Sequence, residues 1–353
     1  MWRNSVLLRH RFASDLGALV ATLGSMLCLG CLRSQVTPSL RLTSSALRDA
    51  VDRAIAYLLT CQLPSGAIND VIAHPLAALA KVRPSRRLAF RLKGGADIWH
   101  TTQAILAFSA AGRSNSAAER FVRSRVSRRG ELSYWSGHPS LCIETCSAAW
   151  HALPSQRRRL ASTLVRHALP GGRWPNFILP GQGGYDSYLA GPSVTAWALG
   201  ALGASHPLAT EARTYLRETV APDGLWRAHP AFYATPYYPA HLAVAHVGQK
   251  RGAVVRATLG QQSTTGGWGF AGFADRPSPL PTGLAIRTLI AAGVNTPRCK
   301  RSLRRAVRWL LSSQSANGAF HLAPAPAVLF YAGDVYATCV AISALILVEE
   351  ALL

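Results

Sequence analysis

The stretch Arg305-Ala306-Val307-Arg308-Trp309-Leu310-Leu311-Ser312-Ser313-Gln314-Ser315-Ala316-Asn317-Gly318-Ala319-Phe320 is written again near the other end of the chain, as Arg53-Ala54-Ile55-Ala56-Tyr57-Leu58-Leu59-Thr60-Cys61-Gln62-Leu63-Pro64-Ser65-Gly66. Apolar residues in both recur at three- and four-residue steps, the mark of an amphipathic helix. The glycine after the glutamine supplies the positive φ that a helix terminus or tight turn needs. The second half of the unit returns at Gln262-Ser263-Thr264-Thr265-Gly266-Gly267-Trp268, and again at Tyr215-Leu216 through Asp223-Gly224-Leu225-Trp226. Working outward from these copies gives six polar turns with glycines at Gly66, Gly130, Gly172, Gly224, Gly267 and Gly318, each followed by a small-residue, Ala-rich helix. Those helices are expected to begin near Asp97, Cys142, Gly191, Tyr237, Leu280 and Asp334, at intervals of 43 to 54 residues. A period in that range marks a repeat architecture, in which helix pairs stack because none buries its apolar face alone. Six pairs suffice to close a ring.

The two helices of a pair differ in kind. Segments such as 305–313 are amphipathic and suit an outer layer. Their partners, such as 101–110 and 194–202, are apolar nearly all round and suit an inner layer buried on most sides. The 353 residues are 49% hydrophobic, enough for one large core, and six units account for nearly everything beyond residue 44. The predicted organisation is a basic and apolar leader at 1–44, followed by the helical repeats at 45–353.

In the leader, Arg3, Arg9 and Arg11 precede an apolar, small-residue run from Leu16 to Leu32. That run reads as a signal peptide, a signal anchor or an additional amphipathic helix. An insertion in the first repeat, at about 70–94, interleaves Lys81, Arg83, Arg86, Arg87, Arg91 and Lys93 with Leu76, Leu79, Leu88, Phe90 and Leu92. Such a mixture suits an anionic membrane surface, a cover over the ring's mouth, or a solvated loop. The net charge of +22 comes almost wholly from arginine, since the lysines are Lys81, Lys93, Lys250 and Lys300. This balance favours anionic partners. Nucleic acid is not expected, because the basic residues are dispersed and no nucleic-acid motif occurs. Seven cysteines with no framework spacing point to a reducing compartment, hence the cytoplasm, with peripheral or anchored contact to a membrane.

The glutamine–glycine–aromatic turns, together with Asp97-Ile98-Trp99-His100-Thr101 and Asp334-Val335-Tyr336-Ala337-Thr338, resemble the prenyltransferase and squalene-cyclase repeat superfamily over roughly residues 45–350. The resemblance implies an all-α fold, a single α6/α6 toroid with a central apolar cavity, and an isoprenoid or lipid-like ligand. One fold hosts many sites, so the reaction is a separate question. Protein prenyltransferase β subunits hold zinc through Asp, Cys and His. The matching positions here are Thr282, Leu284 and Ala337, which cannot replace that ligand set. No cofactor or metal is therefore expected. Class II terpene cyclases protonate their substrate with an Asp-x-Asp-Asp run, which this chain lacks, and they usually build the cavity between two toroids. A cyclase made from one toroid would need another acid and a possible second subunit.

Candidate residues are the polar groups on apolar inner helices. Asp97 and His100 lie one turn apart, and ring closure would bring them toward Asp334 and Tyr336. An Asp opening a helix also serves as its N-cap, so a structural reading stands beside the chemical one. Glu144 is a candidate acid, because a carboxyl in an apolar cavity titrates high; it is also a candidate partner for an arginine. Asp186, in the glycine-rich loop 181–188, is expected at the rim. Trp99, Trp197, Tyr237 and Tyr238 are expected to line the cavity, where aromatic faces stabilise a carbocation. The expected function is acid–base cyclisation or isomerisation of an isoprenoid by Asp97, His100 and Glu144. The alternative is a non-catalytic toroid that binds a lipid or a partner protein.

Overall fold

The computed structural model describes residues 42–69, 96–137, 140–178, 191–227, 235–271, 273–293, 296–322 and 333–352. The leader as far as residue 41, the insertion at 70–94 and the loop carrying Asp186 lie outside the described residues. Among the described residues, α-helices of two kinds alternate. The first kind comprises α1 (Ser44–Thr60), α3 (Ser116–Arg125), α5 (Arg157–Arg166), α7 (Ala209–Glu218), α9 (Arg251–Gly260) and α11 (Pro297–Ser313). The second comprises α2 (Asp97–Ala110), α4 (Ile143–Ala152), α6 (Pro192–Leu202), α8 (Tyr237–Ala243), α10 (Pro279–Ala291) and α12 (Asp334–Leu352).

Helices of the first kind bury one stripe. α11 buries Cys299, Leu303, Ala306, Val307 and Leu310 and turns its arginines outward. It starts where Thr296 Oγ1 accepts from the Cys299 N–H at 3.2 Å, with Pro297 in the first turn. Helices of the second kind are buried on nearly every side; residues 335–342 of α12 are buried without interruption. α12 is the one described helix long and apolar enough to cross a membrane, but 61% of its apolar window is buried inside the protein, as in a core helix. The inner helices pack in a cycle: α2 on α4, α4 on α6, α6 on α8, α8 on α10, α10 on α12, and α12 on α2.

The turns explain the spacing of the repeat. Gly66, Gly130, Gly172 and Gly318 have positive φ, and a Cβ on any of them would lie 2.2 to 2.3 Å from backbone atoms of the following outer helix. Only glycine meets both demands. The partners are Ala117, Arg159 and Ala212, and Gly318 meets Arg53 of α1. In the fifth turn the residue in this role is Gly266 (φ +108°, against Arg305), not Gly267 as the sequence suggested. Gly266 stands four residues after Gln262, as Gly318 does after Gln314.

The glutamine staples its turn to the neighbouring outer helix. Gln262 Nε2 donates to Gly266 O and Ser302 O, at 2.6 and 3.0 Å, and Gln314 Nε2 donates to Gly318 O and Ala50 O, at 3.0 and 2.8 Å. A threonine one turn into the inner helix fixes the aromatic position: Ile68, Trp268 and Phe320 donate their backbone N–H groups to Thr101, Thr282 and Thr338. The indoles of Trp174, Trp226 and Trp268 each donate to a carbonyl near the end of the preceding outer helix, those of Leu164, Leu216 and Thr258. A two-stranded antiparallel ladder, β1 (Leu141–Cys142) with β2 (Phe177–Ile178), has no counterpart in the sequence-based expectation.

Candidate active site

Aromatic rings from the inner helices and from the loop before β1 cluster together. Trp99 stacks on Tyr134 with centroids 5.7 Å apart, meets Trp197 edge-on at 6.4 Å, and lies 6.0 Å from Tyr336. Tyr336 in turn lies 6.5 Å from Tyr238. The first and last inner helices therefore meet through Trp99 and Tyr336.

Among these rings sits one carboxyl. Glu144, in the first turn of α4, is 1% exposed. The Tyr238 hydroxyl donates to its Oε1 at 2.6 Å, and Asn176 Nδ2 approaches Oε2 at 3.4 Å. Trp197 Nε1 donates to the same Tyr238 oxygen at 3.2 Å, so indole, phenol and carboxyl form a buried relay. Asn176 is held at the end of the small ladder: Ile143 N–H donates to Asn176 O at 2.9 Å, and Cys142 Sγ–H faces Asn176 Oδ1 at 3.4 Å. Burial pushes the Cys142 thiol far above its usual range, with Glu144 adding to the effect, and pushes Cys146 up to about 12, so both remain thiols. Burial also raises the Tyr336 phenol, with Arg287 nearby opposing the rise and Glu144 adding to it.

Other predicted residues are placed elsewhere. Asp97 Oδ1 accepts from the Ile98 and Ser136 backbone N–H groups, at 2.9 and 2.7 Å, which ties the loop before β1 to the start of α2. His100 is buried, with Nδ1 3.2 Å from Asn69 Oδ1. Asp334 pairs with His321 at 2.7 Å and accepts from Leu322 N–H at 2.8 Å. Tyr237 turns toward the outer layer and donates to Gln261 Oε1 at 2.6 Å. Thr282 is engaged with the Trp268 backbone, while Leu284 and Ala337 are buried apolar residues.

Beyond the relay, toward the C-terminal ends of the inner helices, lies a cavity of about 440 Å³. Trp197 belongs to both, because its indole N–H bonds Tyr238 and its side chain lines the cavity. Arg287 and His241, neither of them singled out in the sequence, also line it. The signal was present: Arg287 is the sole charged residue of Pro279–Ala291. Asn176 left no such signal, because strand pairing is what brings it to Glu144.

No protein-family model and no curated protein matches the sequence. Solved structures match it in fold. Type II terpene cyclase MstE from Scytonema superposes with a TM-score of 0.68 at 16% identity, covering 88% of this chain and 100% of that one. An arginine variant of that enzyme in complex with geranylgeranyl dihydroxybenzoate, its substrate, gives 0.64 at 18% identity, covering 87% and 99%. For ent-copalyl diphosphate synthase from Streptomyces platensis the values are 0.58 and 17%, covering 89% of this chain and 70% of that one. The chain has the fold of the type II terpene cyclases, in keeping with the resemblance carried by its repeats.

Proposed function

We propose that the six helix pairs form an α6/α6 toroid whose central cavity binds an isoprenoid or similar lipid-like chain, and that Glu144 carries out acid–base isomerisation or cyclisation on it. The observation that carries this reading is the Glu144–Tyr238–Trp197 relay: a carboxyl withdrawn from water, hydrogen-bonded by a phenol, and connected through an indole to a cavity wall. With a proton on Oε2, Tyr238 still donates to Oε1 and supports loss of that proton to an alkene. The Trp99, Trp197 and Tyr336 faces are suited to stabilise the resulting cation. Return of a proton from a neighbouring carbon to the carboxylate balances the step as an isomerisation or cyclisation. Asp97 and His100 are assigned to holding the loops around this centre, since the Asp97 carboxylate is engaged by two backbone donors.

Purified protein incubated with geranylgeranyl diphosphate, geranylgeranoic acid and squalene, with products read by mass spectrometry, tests the reading. A product of unchanged mass is expected from one of them, with its formation reduced roughly 100-fold or more by Glu144→Gln at unaltered thermal stability. Saturable binding without conversion would leave a binding protein rather than an enzyme. Neither binding nor conversion would remove the isoprenoid reading and leave the fold.

A further inference from the structure

The cavity beside Trp197 has the volume of a small-ligand pocket, and Leu106, Ala196, Leu242 and Ile346 give it apolar walls. Among its polar lining residues, two stand out. Arg287 lines it and has no ion pair or hydrogen bond among the described residues. His241 is 7% exposed and also lines it. Its Nδ1 lies 3.2 Å from the Tyr237 carbonyl, which can only accept, so Nδ1 carries the ring proton; Nε2 is buried and has no partner among the described residues. Arg287 is half-buried, so its guanidinium is partly shielded from water with no ion pair among the described residues, and a ligand that supplies an anion there is stabilised by the pairing.

We propose that this cavity binds a single-headed carboxylic amphiphile, its carboxyl group between Arg287 and His241 and its chain along Leu106, Leu242 and Ile346. One carboxylate oxygen accepts from the guanidinium, and the other accepts from His241 Nε2, which takes up a proton from solvent on binding. A monocarboxylate balances one guanidinium. A diphosphate would set several negative charges against that single cation with Glu350 also lining the cavity, and an alcohol would leave the cation uncompensated. The remaining titratable neighbours add no permanent charge: burial holds His151 and His246 below their ordinary values, with Arg157 and Arg213 acting in the same direction. The assignment rests on the cavity being the ligand site proposed above, and not on the reaction.

Calorimetry on the full chain with dodecanoate, dodecanol and dodecyl phosphate decides it. One saturable dodecanoate site is expected, roughly tenfold or more tighter than either competitor and weakened to a similar degree by Arg287→Met. Gly200→Leu is the second variant. Gly200 lines the cavity within helix α6, a Cβ there meets only His151 Nε2 at 3.6 Å, and leucine favours the helix while filling the cavity. No saturable dodecanoate binding, equal affinity for dodecanol, or binding that survives in both variants would overturn the proposal. Tighter binding of dodecyl phosphate would replace the carboxyl group by a phosphate and overturn it equally. Dodecanoate has no double bond, so its binding is read whether or not an isoprenoid is converted. Conversion by a protein that does not bind dodecanoate would remove the head-group assignment alone.

Discussion

At the scale of single residues, the polar side chains of the inner helices divide into those that hold backbone and those that face the interior. Thr282 belongs to the first group, as acceptor for the Trp268 N–H. Thr282→Val preserves its shape and leaves that buried donor unsatisfied, so a loss of about 1–3 kcal/mol is expected in denaturant titration. Gly318→Ala forces a positive φ on an L-residue and drives its Cβ into the Arg53 carbonyl; about 2 kcal/mol or more should be lost. His241 belongs to the second group. Burial foremost, and Arg287 after it, hold its imidazole well below the ordinary value, so it is neutral near pH 7 in the free protein. A bound carboxylate would raise it, so binding takes up a proton and dodecanoate affinity should increase as pH falls from about 8 toward 6. Calorimetry in buffers of different ionisation enthalpy reads that uptake directly, and equal heats would contradict it. Glu144, Trp197 and Tyr238 were legible as candidates because they are conspicuous within small-residue helices. Their hydrogen-bonded order was not, because it joins residues 94 and 41 positions apart.

At the scale of elements, the two helix types separated cleanly in the sequence because burial on one side and burial on all sides leave different patterns. α8 was less legible: Tyr237–Ala243 has only seven residues and continues as a 3₁₀ turn at Val244–His246. Pro239 fits within its first turn, where the missing N–H costs little. The outer helices of the third, fourth and fifth repeats share a device absent from the motif as first read. A tryptophan ten residues after a late helical carbonyl closes that helix with its indole N–H. Trp174→Phe keeps most of the packing but removes the indole donor to the Leu164 carbonyl, and about 1–3 kcal/mol of stability should disappear in a thermal or denaturant melt. A change within a few tenths of a kcal/mol would show that the carbonyl finds another partner.

At the scale of the whole domain, the sixth turn returns to the first helix: Gln314 bonds Ala50 O across 264 positions, and Gly318 lies against Arg53. An open solenoid tolerates loss of a terminal repeat, because each unit leans only on its neighbours. A closed cycle does not. Truncation before Pro297 would strip α1 of its neighbour α12 and of the Gln314 staple, and also expose α2 and α10. The shortened chain is expected to lose cooperative unfolding, which a denaturant curve without a single sharp transition would report; a sharp transition of near-normal stability would contradict closure. The fold was legible at this scale because it is repeated. The chemistry was not, because the groups in question come from different repeats and each occurs once.

The guanidinium of Arg48 meets the carboxylate of Glu349 at 2.8 Å, with α1 and α12 packed side by side. The two ends of the described domain are therefore neighbours in space, although they are as far apart in sequence as the domain allows. Which helix pair is counted as first is then an accident of where the gene is opened. A circular permutant of the described domain that bridges Leu352 to Leu42 and is cut in the turn at 112–114 would keep the helix-to-helix contacts of the parent domain and change the order in which its repeats leave the ribosome.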